Sequence, residues 1–169
     1  MFNIGDKVFY PMHGAGIINS IDEKEVLGNK VSYYTIALPN EIKAMIPVEN
    51  SDTVGLRAII NEEEAQKVLG ILESEITEMP ENWNKRYNEN RDRLKTGDIY
   101  EIADIYRNLS LRNREKNLST GEKKMLLNAK QVLISELALS SNQTFDTIEK
   151  RIETKLDDNF NKQEDEEEN

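Results

Sequence analysis

The spacing of apolar residues along this chain changes once, near Val54-Gly55, and that change constrains the fold more than any other feature. Before it, apolar and polar side chains alternate: Tyr34, Ile36 and Leu38 form one run, and Ile42, Ala44 and Ile46 another. A period of two places each set on one face of an extended strand. Turn-forming breaks at Gly5-Asp6, Gly14 to Gly16, Gly28-Asn29 and Pro39-Asn40 fall between the runs. Residues 1–55 are therefore expected to form a small antiparallel barrel or strongly bent sheet, with Gly14 to Gly16 in a β-turn. So short a segment buries only a thin core, and this sheet is expected to lean on whatever follows it.

After the break the period becomes helical. Asn61 with Glu64 three residues on reads as a capping box ahead of Ala65, Val68, Leu69 and Leu72. Pro80 is expected in the first turn of a second helix, over roughly 81–95. Gly97-Asp98 opens a third, with Ile99, Ile102, Ala103, Ile105, Tyr106 and Leu109 at helical spacing. Ser119 with Glu122 gives the clearest capping box, ahead of Met125, Leu126, Ala129, Val132, Leu133 and Leu137. A fifth helix is expected from near Thr144 to about Leu156. Residues 157–169 hold one basic and seven acidic side chains, and the expectation is a disordered acidic tail. The fold class is thus α+β: a β-domain over 1–55, an all-α domain of about five helices over 56–156, and the tail.

A formal net charge of −10 argues against a polyanionic partner only if it is spread evenly. It is not. Residues 1–60 carry −2 and the last thirteen residues −6, whereas residues 82–135 hold twelve basic against seven acidic side chains. Local fields steer polyanions, so the middle segment is the place to look for one. No stretch approaches the apolar length needed to cross a bilayer, and MFNIGDKVFY lacks a basic segment followed by an apolar one, so a cytoplasmic protein without a membrane partner is expected. The absence of cysteine excludes disulfides, thiol catalysis and cysteine zinc sites. His13, the one histidine, has no partner set for a metal or a nucleophile relay, and no Lys-Ser/Thr follows Gly14-Ala15-Gly16 as a phosphate loop would require. Neither a cofactor nor an enzymatic activity is indicated.

The informative cluster is Asn82 to Tyr87, with Arg91, Arg93 and Lys95 later on the same helix. Lys85 and Arg86 beside Trp83 suit DNA, since cations neutralise phosphates and a flat side chain wedges against a base step. Trp83, Tyr87 and Leu94 also lie at i, i+4 and i+11, a stripe that faces a core equally well. Lys123, Lys124 and Lys130 form a second basic set, with Lys123 and Lys130 seven residues apart on one helix face; a plain solvated face is the simpler reading of it.

Taken in order, GDKVFYPMHGAGII, IPVENSDTVGLR, NWNKRYNENRDRLKTGD and LSTGEKKMLLNAKQVLISELALS resemble the CarD/CdnL family of bacterial transcription regulators from Gly5 to about Ser140. The N-terminal module is also similar to the polymerase-interacting domain of transcription-repair coupling factors, a Tudor-like (SH3-like) fold. The resemblance implies a non-enzymatic, monomeric regulator whose first domain pairs with the β1 lobe of the RNA polymerase β subunit through an exposed strand edge. Here Lys43, Ala44, Met45, Ile46 and Pro47, with the facing turn near Lys24, would supply that edge; Met45 stands where family members often carry Arg, replacing a charged contact by an apolar one. It further implies that Trp83 enters the minor groove at the upstream edge of melted promoter DNA. Lys85 and Arg86 would follow it as phosphate contacts, and Lys123 and Lys124 of the GEKK string would add to them, with little sequence preference; Lys130, on the helix face of Lys123, is expected on DNA with them. Two other readings stand beside this one. The strand-turn pattern from Gly5 to Ile21 also resembles the KOW motif of RNA- and ribosome-binding proteins, and a protein-binding scaffold would leave Trp83 in the core and the basic segment as surface charge.

Overall fold

Five strands, all antiparallel, make one sheet in the order β4-β3-β2-β1-β5: β1 Lys7–Tyr10, β2 Gly14–Val26, β3 Asn29–Ala37, β4 Lys43–Pro47 and β5 Arg57–Ala58. The computed structural model describes all 169 residues. Tyr34, Ile36, Leu38 and Ile46 do face one core, joined by Val8, Ile18 and Leu56. Ile42 does not; it is 56% exposed, because its carbonyl closes the Pro39–Glu41 loop against the Leu38 amide before β4 begins. The sheet also passes residue 55, since Arg57 and Ala58 pair with Phe9 and Val8.

Gly14 to Gly16 are not a turn. They open β2, and the reversal before them is made by Pro11 to His13. What demands glycine there is close approach: a Cβ on Gly16 would lie 2.2 Å from the Ala37 carbonyl oxygen, and one on Gly14 would lie 2.8 Å from Ser135 Oγ.

Five helices follow: α1 Glu62–Ile71, α2 Trp83–Lys95, α3 Ile99–Glu115, α4 Thr120–Ser141 and α5 Phe145–Glu168. Each starts on a side chain that accepts a free backbone N–H of the first turn: Asn61, Asn82, Asp98, Ser119 and Thr144. Pro80 lies before the Asn82 cap rather than inside α2. The Asn61–Glu64 box is complete in both directions. At α4 only half of it forms, because the Glu122 carboxylate is turned towards α2.

The helices pack round a core that includes Phe9 and Ala15 of the sheet, so the thin β-domain is completed by the bundle as its size required. The expected disordered tail is corrected. Helix α5 continues past Leu156 to Glu168, and Asn159, 5% exposed, donates to the carbonyls of Leu72 and Ser74. Those carbonyls follow the end of α1, where the helix has run out of its own amide partners. Lys155 pairs with Glu73 and Arg114 with Asp157, so a polar segment with no apolar stripe to advertise it is fixed by polar bonds.

Candidate functional site

The first turns of α2 and α4 are tied together by a buried ion pair. Arg86 Nε donates to Glu122 Oε2 at 2.8 Å and Nη2 to Oε1 at 2.9 Å, while Nη1 donates to the carbonyls of Pro80 and Glu81, each at 3.1 Å. Both side chains are almost sealed, at 4% and 1% exposure. Burial pushes the Glu122 carboxyl up, but hydrogen bonds from Arg86 and Ser119 and the nearby Arg86 and Arg112 charges outweigh it, so its pKa lies below the ordinary carboxylate value. Arg86 is therefore not available as a phosphate contact. Its fork is spent on a carboxylate 36 residues away in sequence, a pairing that no local pattern reveals.

What the pair supports is exposed. Trp83 is the first residue of α2 and is 59% exposed. The stripe that includes it leaves the core along its length: Leu94 is buried, Tyr87 is half-buried beside Gly121 of α4, and Trp83 stands out in solvent. The reading of Trp83 as core is thereby overturned. Lys85, Lys123 and Lys124 are exposed on the same two helix starts, and the ion pairs of the basic segment use other cations: Arg86, Arg91, Arg93, Arg107, Arg114 and Lys130. Helix α2 has no acidic residue in its first turn, so no carboxylate of that turn offsets the positive end of its dipole.

Lys130 does not join them. Its ammonium contacts Glu153 of α5 at 2.8 Å and Glu149 at 3.4 Å. Burial pulls its pKa down, but the Glu153 bond and the neighbouring negative charges outweigh this and raise it. Seven residues from Lys123 is two helical turns, yet α5 covers the later turn and leaves the earlier one open.

In the sheet β4 is an edge strand, paired with β3 alone. Lys43 and Met45 are exposed, Ala44 and Pro47 half-buried, and Ile46 is in the core, so of Ile46 only the backbone belongs to the rim. Lys24 of β2 reaches Met45, with Nζ 3.7 Å from Sδ. The strand register sets Lys24 against Val31, Pro47 against Tyr33 and Met45 against Thr35, so these side chains share the outer face. Val31 and Tyr33 escaped the sequence reading, although they sit in the opposite phase of the same alternation that marks Tyr34 and Ile36 as core. His13 is exposed and stacked on Tyr10 at 4.3 Å between ring centres. No helix is long and apolar enough to cross a membrane.

Two family models match the chain, covering the two halves just described. The model described as CarD-like/TRCF RID domain matches residues 2–60, and that described as CarD, C-terminal domain matches residues 67–153. A "Putative transcription factor YdeB" of Bacillus subtilis (strain 168) is 41% identical over 138 residues, which span 81% of this chain and 90% of the relative.

Proposed function

We propose, from the premise that this chain belongs to the CarD/CdnL family of transcription factors and begins with that family's RNA polymerase-interacting domain, that it acts at initiation by holding polymerase with the sheet rim and promoter DNA with the α2–α4 end of the bundle. The free edge of β4 offers backbone groups for pairing with a strand of the polymerase β1 lobe, with Lys24, Lys43 and Met45 beside it. Met45 makes that contact apolar where an arginine would have made it ionic. No cofactor or catalytic group enters the action, and a monomer working in the cytoplasm suffices.

The observation that carries the DNA half is the exposure of Trp83, on a helix start braced from behind by Arg86 and Glu122. An exposed indole at a helix start, with Lys85, Lys123 and Lys124 on the same two helix starts, suits a widened minor groove: the ring meets a base step and the ammonium groups meet phosphates. Such contacts favour the DNA geometry of the melted promoter over the closed duplex, and differential binding alone shifts that equilibrium towards open. Phosphate and shape contacts carry little sequence information, so polymerase brings the protein to its promoters.

Open-complex lifetime on a linear promoter fragment, with a competitor to trap released polymerase, tests the reading. Trp83→Ala is expected to shorten the lifetime conferred by the protein about tenfold, the worth of one stacking contact, with co-purification with polymerase unchanged. Since the ring is largely in solvent, folding stability should move by no more than about 0.5 kcal/mol. An unchanged lifetime with Trp83→Ala would leave the protein-binding scaffold as the better account.

A further inference from the structure

A second fork, with only its carboxylate fully buried, joins the sheet to the same helix that bears Glu122. Arg57 Nη1 donates to Glu136 Oε2 at 2.6 Å and Nη2 to Oε1 at 2.8 Å; Glu136 is fully buried and also accepts the Ile60 amide at 3.0 Å. Arg57 donates as well to the Gly97 carbonyl, between α2 and α3, and lies 4.3 Å over the Phe9 ring. One guanidinium thus engages β5, β1, the α2–α3 turn and α4. Further bonds cross the same seam: the Ala15 amide to Ser135 Oγ at 2.9 Å, and Asn128 Nδ2 to the Met12 carbonyl at 3.2 Å.

We infer that Arg57 and Glu136 are positioning residues that fix the angle between the polymerase-facing sheet and the DNA-facing helix starts, with α4 as the rigid spacer between them. This rests on the two-surface reading above. Apolar contact across the seam holds the halves together but is non-directional, whereas a bidentate fork sets an orientation. Lys123 and Glu136 lie on the same helix, and thirteen residues of helix rise span about 20 Å, so a tilt of about ten degrees at the fork moves the far end by about 3–4 Å. That is enough to take an indole out of a groove while the sheet stays docked. The two surfaces act as linked sites, and their joint hold depends on whether the geometry allows both to engage together.

Because the chain has no cysteine, labels can be placed at will. Cysteines introduced at the exposed positions Glu25 in the β2–β3 ribbon and Glu89 on α2 report the angle by the distance between two spin labels. The native fork is expected to give one narrow distance distribution. Arg57→Lys, whose single ammonium cannot serve Glu136 and Gly97 in the same plane, and the uncharged pair Arg57→Met with Glu136→Met are expected to broaden it. With polymerase co-purification unchanged, these variants should shorten the open-complex lifetime by about tenfold or more. If the double variant does not fold, Arg57→Lys, which keeps a cation opposite Glu136, supplies both readouts. A narrow distribution in Arg57→Lys, or a broad one with a full lifetime, overturns the inference. A native protein that gives no lifetime extension overturns instead the two-surface function on which it rests.

Discussion

The two ends of α4 are built from the same chemistry and do opposite things with it. Near its start Glu122 grips Arg86, and near its finish Glu136 grips Arg57; each is a bidentate carboxylate–guanidinium fork with a backbone bond added. At the first end the fork closes off the floor of a surface and leaves an indole and three lysines above it in water. At the second it is wedged between sheet and bundle, with Glu136 sealed and only the flank of Arg57 in water. Ionic pairing over long sequence distances therefore serves here to aim side chains, and which cations remain free for a partner is decided by where the carboxylates fall.

The largest effect that separates the two ends is on stability. Glu122→Ala strands Arg86, which is 4% exposed, without a counter-charge, and an unpaired buried charge costs about 3–5 kcal/mol. Glu136→Ala strands Arg57, but that side chain is 31% exposed and water reaches it. What stays unpaired is the Ile60 amide, a loss of about 1–3 kcal/mol. Denaturant unfolding of the two variants should rank them in that order, and a larger loss for Glu136→Ala would mean that the sheet–bundle seam, rather than the α2–α4 floor, is the main tie.

Acid should sharpen the contrast. The folded-state pKa of Glu122 is held below its ordinary value, so the pair adds stability at pH values above the unfolded carboxylate range and loses it as pH falls through the lowered value. Glu122→Gln removes this proton uptake. Its stability should fall less steeply on acidification than that of the native chain, with Asp104, also lowered by its bonds to Arg93 and Thr77 and by the Arg107 and Arg93 charges despite burial, supplying part of the remaining slope. Equal slopes would remove Glu122 as a contributor.

What the sequence revealed follows the range of the forces involved. The switch of period near Gly55, the Asn61 and Ser119 caps, the helix starts at Asp98 and Thr144 and the core phase of Tyr34 and Ile36 are local, and each is present in the fold. Arg86 and Lys130 were misjudged together for one reason: their partners, Glu122 and Glu153, lie 36 and 23 residues away, and spacing along one helix says nothing about a carboxylate on another. The tail failed likewise. Asn159 is held by carbonyls of residues 85 to 87 positions earlier, which composition cannot anticipate. The aromatic-and-basic cluster draws attention to Trp83 but leaves core and groove both open; the resemblance favours the groove, and the 59% exposure of the residue excludes the core.

The smallest effect tests the division between free and spent cations directly. Lys123 and Lys130 lie on one helix, two turns apart, and differ only in whether α5 covers them. If Lys123 and Lys124 neutralise phosphates, Lys123→Ala with Lys124→Ala should lower the salt dependence of open-complex lifetime by a log–log slope of about 2, one unit for each lost contact, whatever the promoter sequence. Lys130→Ala should leave that slope alone and take no more than about 1 kcal/mol from folding, as a partly exposed ion pair does. Equal slope changes in the two variants would place Lys130 on DNA despite Glu149 and Glu153, and the boundary of the cationic surface would then have to be redrawn along the whole of α4.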